Sequence, residues 1–322
     1  MLDEILLVVA GIVVILVLAS LIIRSVVKLS KHFGLSGTFV GLTILSIGTS
    51  IPEIMSAVVA SINIVKNPAS LQALSSLVVG QNVGSDIFQQ SFILAIVGIL
   101  GTVVVVKKDL FKEMGALIIG ALLVFVFSLG GTLSRIEGGV LLAVYAGYLY
   151  YLYRNRSGKI VAAKNLSRRR VWIEILIVTI SFVIMGIVAD KVLFASTVLV
   201  QSLPVSASFF GVVLLGIASA LPELMTALVA VFKRQKGISA GVLIGSNITN
   251  PLFGLGLGAL ISTYSIPDVL VQFDLPIKIG TGLLIYYFLF RSEDITKVEG
   301  IILICLFFAY IFIRAIHFPA DL

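Results

Sequence analysis

Apolar stretches long enough to cross a lipid bilayer follow one another along the whole chain, separated by short polar segments. The predicted spans are 4–27, 38–64, 72–104, 111–130, 135–153, 172–199, 207–232, 238–262, 270–290 and 296–316. The third is too long for one straight helix, so we expect it to bend or split. The ninth is the weakest, because Asp274, Pro276 and Lys278 interrupt it. The pattern predicts an all-α polytopic membrane protein with ten transmembrane helices.

Composition narrows the class of protein further. Of 322 residues, 59% are hydrophobic and 12% are charged, whereas about a quarter of a soluble domain is charged. Cys305 is the single cysteine, which excludes an intrachain disulfide and a cysteine-based metal cluster. His32 and His317 lie near predicted helix ends, which argues against a histidine-based site in the membrane. We therefore expect neither an enzyme nor a bound cofactor.

The lysine and arginine residues predict an orientation. Ten spans put both termini on one side, and the other side then holds 18 of the 23 basic residues. The side of the termini holds the remaining 5, which are Lys66, Arg135, Lys191, Lys278 and Arg314. Because basic residues concentrate in cytosolic loops, we expect both termini outside and a basic cytosolic loop at 154–171. These loops account for the net charge of +7, so the expected partner is the lipid bilayer of the cell membrane and no nucleic acid.

Two sequence motifs occur twice. Residues 41–60 read GLTILSIGTSIPEIMSAVVA and residues 211–230 read GVVLLGIASALPELMTALVA, with nine identities in twenty positions. A second pair follows, GQNVGSDIFQ at 80–89 and GVLIGSNITN at 241–250. The chain therefore contains two related halves.

Each half contains five predicted spans, 1–153 and 172–322, and carries its motifs in the second and third spans. Five is odd, so the second half must enter the membrane in the opposite sense to the first. Transporters built from such inverted repeats bind their substrates near the midplane of the bilayer. The predicted fold is therefore two inverted five-helix repeats, with a monomer as the expected unit.

Glu53 and Glu223 lie in the middle of predicted spans, at equivalent positions of the two repeats. A charged side chain at the centre of a span costs about 2.5–3.5 kcal/mol on insertion scales and is tolerated where it faces a cavity or a partner. Burying such a charge twice, at equivalent positions, indicates a functional site.

A proline precedes each glutamate by one residue, at Pro52 and Pro222. Proline within a helix frees a carbonyl about one turn upstream, so we expect the helices to open near Gly48 and Ala218. Freed carbonyls beside a carboxylate form an all-oxygen site suited to Ca2+ or Na+.

Hydroxyl and amide side chains share helix faces in both repeats. The groups are Ser46–Thr49–Glu53, Gly216–Ser219–Glu223, Ser85–Gln89 and Ser246–Asn250. Four glycines, Gly80, Gly84, Gly241 and Gly245, would let these helices approach closely. Asp86, whose counterpart is Asn247, lies one residue off the Ser85/Gln89 face and is an additional candidate ligand, with Asn82 as its expected partner.

The motifs GTSIPE and ASALPE, followed by GSDIFQ and GSNITN, resemble the two alpha-repeats of the cation/Ca2+ exchanger superfamily. The Pro-Glu ending looks more like the Na+/Ca2+ branch than the H+/Ca2+ branch. The resemblance spans the chain, since it covers both motif pairs, the ten spans and the outside termini. It implies a membrane antiporter that exchanges Ca2+ for Na+.

The resemblance also implies roles for individual residues. Glu53 and Glu223 would be the central Ca2+ ligands and would also serve Na+. The flanking oxygens would come from the side chains of Thr49, Ser219, Ser85 and Ser246, the carbonyls of Ser46 and Gly216, and the amides of Gln89 and Asn250. In K+-dependent relatives the last position is typically Asp, so Asn250 argues mildly against K+ co-transport.

Some positions depart from the family pattern and leave the coupling ion open. Ala218 and Ala220 replace a glycine and a hydroxyl, Gln89 stands where Asn is usual, and Asp86 is an added acid. Two glutamates sharing a site repel each other when no cation lies between them, and protons would relieve that repulsion, so H+/Ca2+ exchange is the second hypothesis. A channel or an intramembrane hydrolase fits less well, because the repeat favours alternating access and no histidine supports Ser50 as a nucleophile.

Overall fold

A computed structural model describes residues 2–33, 43, 45–100, 107–154, 166–203, 205–232, 236–292 and 294–319. Most of the predicted basic loop at 154–171 and the start of the second predicted span lie outside these residues. The α-helices are α1 (Leu2–His32), α2 (Ser46–Thr49), α3 (Ile51–Lys66), α4 (Leu71–Phe88), α5 (Leu94–Ile99), α6 (Lys107–Ser128), α7 (Arg135–Arg154), α8 (Arg168–Ser202), α9 (Ala207–Phe210), α10 (Gly216–Ser219), α11 (Leu221–Phe232), α12 (Lys236–Thr249), α13 (Gly256–Ile261), α14 (Leu275–Ser292) and α15 (Lys297–His317).

Seven helical segments in the described residues are long and apolar enough to cross a membrane. Together with the large apolar side chains exposed on the outer faces, such as Phe308 and Phe312, they support an all-α membrane protein. Two-residue strands β1 (Thr132–Leu133) and β2 (Tyr264–Ser265) pair antiparallel, a small element that the hydropathy pattern does not reveal.

The third helical segment of each half packs against the second of the other half. Helix α4 crosses α9 and α10, and α12 crosses α2. This reciprocal packing brings the four motif segments to the centre of the molecule. Polar side chains are buried there, including Glu53, Glu223 and Asp86.

Both motif helices break just before their prolines. Helix α2 ends at Thr49 and α3 begins at Ile51; likewise, α10 ends at Ser219 and α11 begins at Leu221. Ser50 and Ala220 between them have nearly the same backbone angles, φ −79°, ψ 5° and φ −82°, ψ 1°. The expected opening is therefore present, two residues later than Gly48 and Ala218.

Turns of π-helix interrupt several of the long helical segments. Two of them, Gln89–Ile93 and Asn250–Leu255, begin at equivalent positions of the second motif pair. Two more span Gly211–Leu215 and Leu270–Asp274. The third predicted span thus continues from α4 through a π turn into α5, rather than splitting. Such turns are frequent at functional sites.

Glycines allow α4 to touch the opposite half through backbone atoms. A Cβ atom added at Gly84 would lie 2.2 Å from the carbonyl oxygen of Val212, and one at Gly80 would lie 2.7 Å from that of Ser208. From the other side, a Cβ at Gly216 would lie 2.8 Å from the nitrogen of Ser85. The predicted close approach is confirmed for Gly80 and Gly84, and it stays a prediction for Gly241 and Gly245.

Replacing Gly84 by Ala should destabilise the protein, because the added methyl group would meet a backbone oxygen that cannot rotate away. We expect a cost of about 1–3 kcal/mol or more, as for other overpacked cores, measured by thermal unfolding in detergent. Gly147→Ala is the matched control: nothing lies within 4 Å of its added Cβ, and alanine favours helix. Equal stability of the two variants would contradict this account of the α4 crossing.

Candidate ion-binding site

Glu53 and Glu223 each lie in the first turn of a helix, α3 and α11, directly after a break. Their exposed fractions are 1% and 0%. The first turn of a helix carries unpaired N–H groups and the positive end of the helix dipole, which favour a carboxylate. The local sequence, a proline followed by a glutamate, thus positions both side chains.

The Glu53 carboxylate has one strong partner. The Ser85 hydroxyl donates to its Oε1 atom at 2.6 Å, and Ser219 from the other repeat also lies beside it. Its Oε2 atom accepts no hydrogen bond from the described residues. A cation at this oxygen would meet no competing donor there.

Glu223 is less satisfied than Glu53. Thr49 and Glu53 lie close enough to interact electrostatically with its carboxyl group. Neither of its oxygens accepts a hydrogen bond from the described residues. The hydroxyl of each repeat thus lies beside the glutamate of the other, Ser219 beside Glu53 and Thr49 beside Glu223. Three of the four carboxylate oxygens accept no hydrogen bond from the described residues.

The remaining hydroxyls and carbonyls form close oxygen pairs around the glutamates. The Thr49 hydroxyl lies 3.2 Å from that of Ser246 and donates to the carbonyl of Ser46 at 3.2 Å. Ser219 donates to the carbonyl of Gly216 over the same distance. Oxygens that share a Ca2+ ion at 2.3–2.6 Å lie about 3.4 Å apart in octahedral geometry. These pairs therefore have the spacing that neighbouring ligands of one ion require.

The two predicted amides differ. Gln89 donates to the Ser85 hydroxyl at 3.0 Å, and its Oε1 atom accepts from Asn247 at 3.2 Å. Asn250 donates to Asp86 at 2.7 Å, and its Oδ1 atom has no donor among the described residues. The Asn250 oxygen is therefore available to an ion, whereas that of Gln89 is engaged.

Asp86 has a partner that the sequence interpretation missed. The Nζ atom of Lys278, on α14, lies 2.5 Å from its Oδ2 atom, and both side chains are fully buried. Asn82, the expected partner, donates instead to the carbonyl of Asn250 at 3.0 Å. Placing Lys278 at an outer membrane surface was wrong, because it lies inside the bundle beside the candidate site.

Arg314 was likewise placed at the outer surface and is also buried. Its Nε atom lies 3.1 Å from Asp274, which also accepts from the Tyr310 hydroxyl at 2.6 Å. Asp274 and Lys278, which interrupt the ninth predicted span, are therefore interior groups held by other helices.

Further polar residues adjoin the site, and the sequence interpretation did not name them. Thr249 bridges Ser46 at 3.4 Å and the Tyr145 hydroxyl at 3.1 Å. The Asn247 side chain donates to Gln89 and accepts from Gln90. The Oε1 atom of Gln90 in turn accepts from the Thr281 hydroxyl. Thr249 follows Ser246 by three residues, a helical spacing that could have revealed it.

No group of three or more His, Cys, Asp or Glu side chains suited to a metal ion occurs in the part of the chain that the structure describes. An ion at the two glutamates would therefore need hydroxyl, carbonyl or amide oxygens as well. Ca2+ takes six to eight oxygens, and the oxygen pairs around Thr49 and Ser219 are suited to that role.

A small cavity of about 30 Å³ reaches the site from one side. Ser219, Ala218 and Pro52 line it, together with side chains of α1 and α8 and with Ser56, Gln81 and Leu215. Such a volume is enough for a water molecule. The cavity marks a side from which solvent could approach the glutamates.

Comparison with known proteins identifies the family. The model of the family described as "Sodium/calcium exchanger protein" matches residues 4–154 and 173–316, which is most of the chain. The chain belongs to the sodium/calcium exchanger family. It is therefore a membrane transporter of the exchanger type, as its relatives' names also indicate.

Relatives of this exchanger occur in bacteria and archaea. The inner membrane protein YrbG of Escherichia coli strain K12 is 28% identical and covers 80% of this chain and 79% of its own. The sodium/calcium exchanger MaX1 of Methanosarcina acetivorans is 24% identical, covering 90% and 92%. The putative antiporter CaxA of Alkalimonas amylolytica is 25% identical, covering 94% and 96%.

A solved structure has the same fold. The sodium-calcium exchanger NCX_Mj, in crystals soaked with 2.5 mM Na+ and 1 mM Sr2+, matches with a TM-score of 0.66. The match covers 96% of this chain and 97% of that one at 24% identity. This exchanger therefore has the fold of NCX_Mj over nearly its whole length.

Replacing Glu53 or Glu223 by Gln should abolish stabilisation of this exchanger by Ca2+. A ligand at 100 times its Kd stabilises a folded protein by about 2.7 kcal/mol. Removing one of two facing charges should weaken the binding of a divalent cation by more than about 100-fold. Thermal unfolding with and without Ca2+ measures both effects. Asp3→Asn, which neutralises an exposed carboxylate of α1, should retain the wild-type response; full stabilisation of both glutamine variants would disprove the site.

Proposed function

We propose that the chain is a secondary antiporter that exchanges Ca2+ for Na+ by alternating access, at a midplane site formed by Glu53 and Glu223. One observation carries the proposal. Two fully buried glutamates occupy equivalent positions of the sequence repeat, and three of their four oxygens accept no hydrogen bond from described residues. The names of the relatives, which include a sodium/calcium exchanger, support it.

Charge balance favours a load of two positive charges, as one divalent ion or as two monovalent ions. An uncompensated carboxylate in an apolar interior is costly, and two carboxylates match one Ca2+ in sign and magnitude. Two Na+ ions would balance the same charge, so the site can pass from one load to the other without leaving a net charge buried. Alternating occupancy of one site by the two loads is the basis of exchange.

The proposed ligands are those predicted from the sequence. Beside Glu53 and Glu223 they comprise the hydroxyls of Thr49, Ser219, Ser85 and Ser246, the carbonyls of Ser46 and Gly216, and the amide of Asn250. The amide oxygen of Gln89 would join them only after it leaves its donor Asn247. Each of the two carbonyls already accepts a backbone N–H and a hydroxyl. A hydroxyl hydrogen rotates freely, so ion entry would turn it away and free two oxygens at once.

We also propose that ten helices cross the membrane as two inverted repeats, 1–153 and 172–322. Three contacts support this plan, because each joins segments that it places on one side. Lys28 at the end of α1 pairs with Glu174 near the start of α8 at 2.9 Å. Thr132 pairs with Ser265 across β1 and β2, and the Ser206 N–H donates to the carbonyl of Pro319. A single chain then carries the whole site, so a monomer suffices.

Proton coupling is the second candidate, and one observation favours it. The Gln89 oxygen accepts from Asn247 rather than facing the glutamates, and Ala220 has no hydroxyl. Gln89 lies in the first repeat and Ala220 in the second, so each repeat offers Na+ fewer oxygens. Protons need only the two carboxylates, so such a site could still exchange Ca2+ for H+.

An imposed Na+ gradient should drive Ca2+ uphill into proteoliposomes at constant pH. The physical reason is that hydroxyl oxygens in both repeats complete sites for Na+ beside the glutamates. Uptake of radioactive Ca2+ measures the effect, and Ser246→Ala should weaken its dependence on Na+ more than it weakens Ca2+ binding. Uptake driven by a pH gradient alone, without any effect of Na+ and with the membrane potential clamped, would instead establish H+/Ca2+ exchange.

The loop at 154–171 should face the cytosol with both termini outside. The excess of basic residues on that side is the reason, and it grows once Lys278 and Arg314 are recognised as buried. A cysteine introduced at Ser157, in a Cys305→Ser background, should react with an impermeant maleimide only after the cells are opened. A cysteine at Asp3 should react in intact cells. The reverse pattern would contradict the orientation.

A further inference from the structure

The buried pair of Asp86 and Lys278 belongs to the immediate surroundings of the site. Asp86 follows Ser85, the donor to Glu53, and accepts from Asn250 at 2.7 Å. It lies close enough to Glu53 and Glu223 to interact electrostatically with both. The Nζ atom of Lys278 lies 2.5 Å from the Oδ2 atom of Asp86, and neither side chain is exposed. A positive charge is therefore fixed within the group of acids that would receive the transported ions.

This pair differs from an ordinary structural ion pair, such as the one between Arg314 of α15 and Asp274. Arg314 bonds Asp274, Ser208 and Phe318, so each of its nitrogen atoms has an acceptor. Lys278 has three N–H donors, and among the described residues its only close anionic partner is Asp86. Buried ion pairs stabilise a fold when further hydrogen bonds satisfy them. Lys278 is poorly explained as a structural group.

The added acid occurs in the first half only, whereas Lys278 belongs to the second half. Asn247 occupies the position equivalent to Asp86 and is neutral, donating to Gln89 and to the carbonyl of Leu243. The added acid therefore pairs with a lysine of the other half, and its counterpart Asn247 needs no such partner. Without Lys278 the three acids would carry a charge of about −3 when ionised, and with it about −2.

We propose that Lys278 is a tethered monovalent cation, which takes the place of one transported cation beside Asp86. Exchange would then move two monovalent ions for each Ca2+ and carry no net charge across the membrane. The inference rests on the proposed exchange of Ca2+ for Na+ at Glu53 and Glu223.

Competition between Na+ and Ca2+ for the detergent-purified protein tests this count. The apparent Kd for Ca2+ is measured by isothermal titration at several saturating Na+ concentrations. By linkage, a tenfold rise in Na+ should weaken Ca2+ binding about 100-fold if two Na+ ions compete and about 1,000-fold if three do. The wild type should show the first value and Lys278→Met the second.

The double variant Asp86→Asn/Lys278→Met is the charge-matched control. It removes both charges and should return to the wild-type value of about 100-fold. Both variants lack the lysine side chain and differ only at residue 86. A difference between them therefore reports the unpaired charge of Asp86 and not the lost packing of Lys278. The proposal would be overturned if a tenfold rise in Na+ weakened Ca2+ binding only about 100-fold in Lys278→Met, or about 1,000-fold in the wild type.

Transport in proteoliposomes gives a readout that needs no variant. A K+ gradient with valinomycin sets the membrane potential while Na+ gradients are held constant. The final Ca2+ ratio in wild-type vesicles should not respond to the potential; a clear response would contradict the tethered cation alone. Absence of any Ca2+ binding to the wild type would instead contradict the proposed function, and this inference with it.

Discussion

The cost of placing ionised groups in an apolar interior governs the arrangement of this protein. Within the described bundle, two acids form ion pairs in which both side chains are fully buried, Asp86 with Lys278 and Asp274 with Arg314. Glu53 and Glu223 are buried as deeply but have no such partner. In the proposed exchange their charge is offset by ions that come and go, so the same unfavourable burial that threatens stability would also provide selectivity for cations.

The sequence predicted well which carboxylates lie together at the centre of the candidate site, because a motif that occurs twice indicates equivalent positions in two halves of the fold. Glu53 and Glu223 stand out since each follows a proline in a twice-used motif, and proline has local consequences that do not depend on the rest of the fold. The breaks at Ser50 and Ala220 follow from that chemistry. The positions of Thr49 and Ser219 follow from helical spacing alone. The close crossing at Gly84 could be expected for the same reason, since it needs only a missing side chain.

The surroundings of the site could not be predicted in this way. Hydropathy treats Lys278 as an interruption of a span, and its i,i+4 neighbour Asp274 is the partner that helical spacing would suggest. The structure instead pairs each with a different helix, Lys278 with α4 and Asp274 with α15. Such choices depend on tertiary packing, as does the reorientation of Gln89 toward Asn247. A charged residue inside an apolar span signals a buried partner without revealing which one.

The paired π turns at Gln89 and Asn250 have a consequence for how such a chain can vary in length. Each turn holds one residue more than an α-helix would, and each residue of a helix rotates the chain by about 100°. Losing a single residue there would restore regular helical hydrogen bonding, so the helix itself would tolerate the deletion. Every side chain beyond the deletion would nevertheless point in a new direction. The polar groups of α4 and α12 and the packing surfaces of α5 and α13 could then no longer face their partners at the same time. Natural variation in these segments should therefore proceed by substitution, while insertions and deletions are confined to the loops.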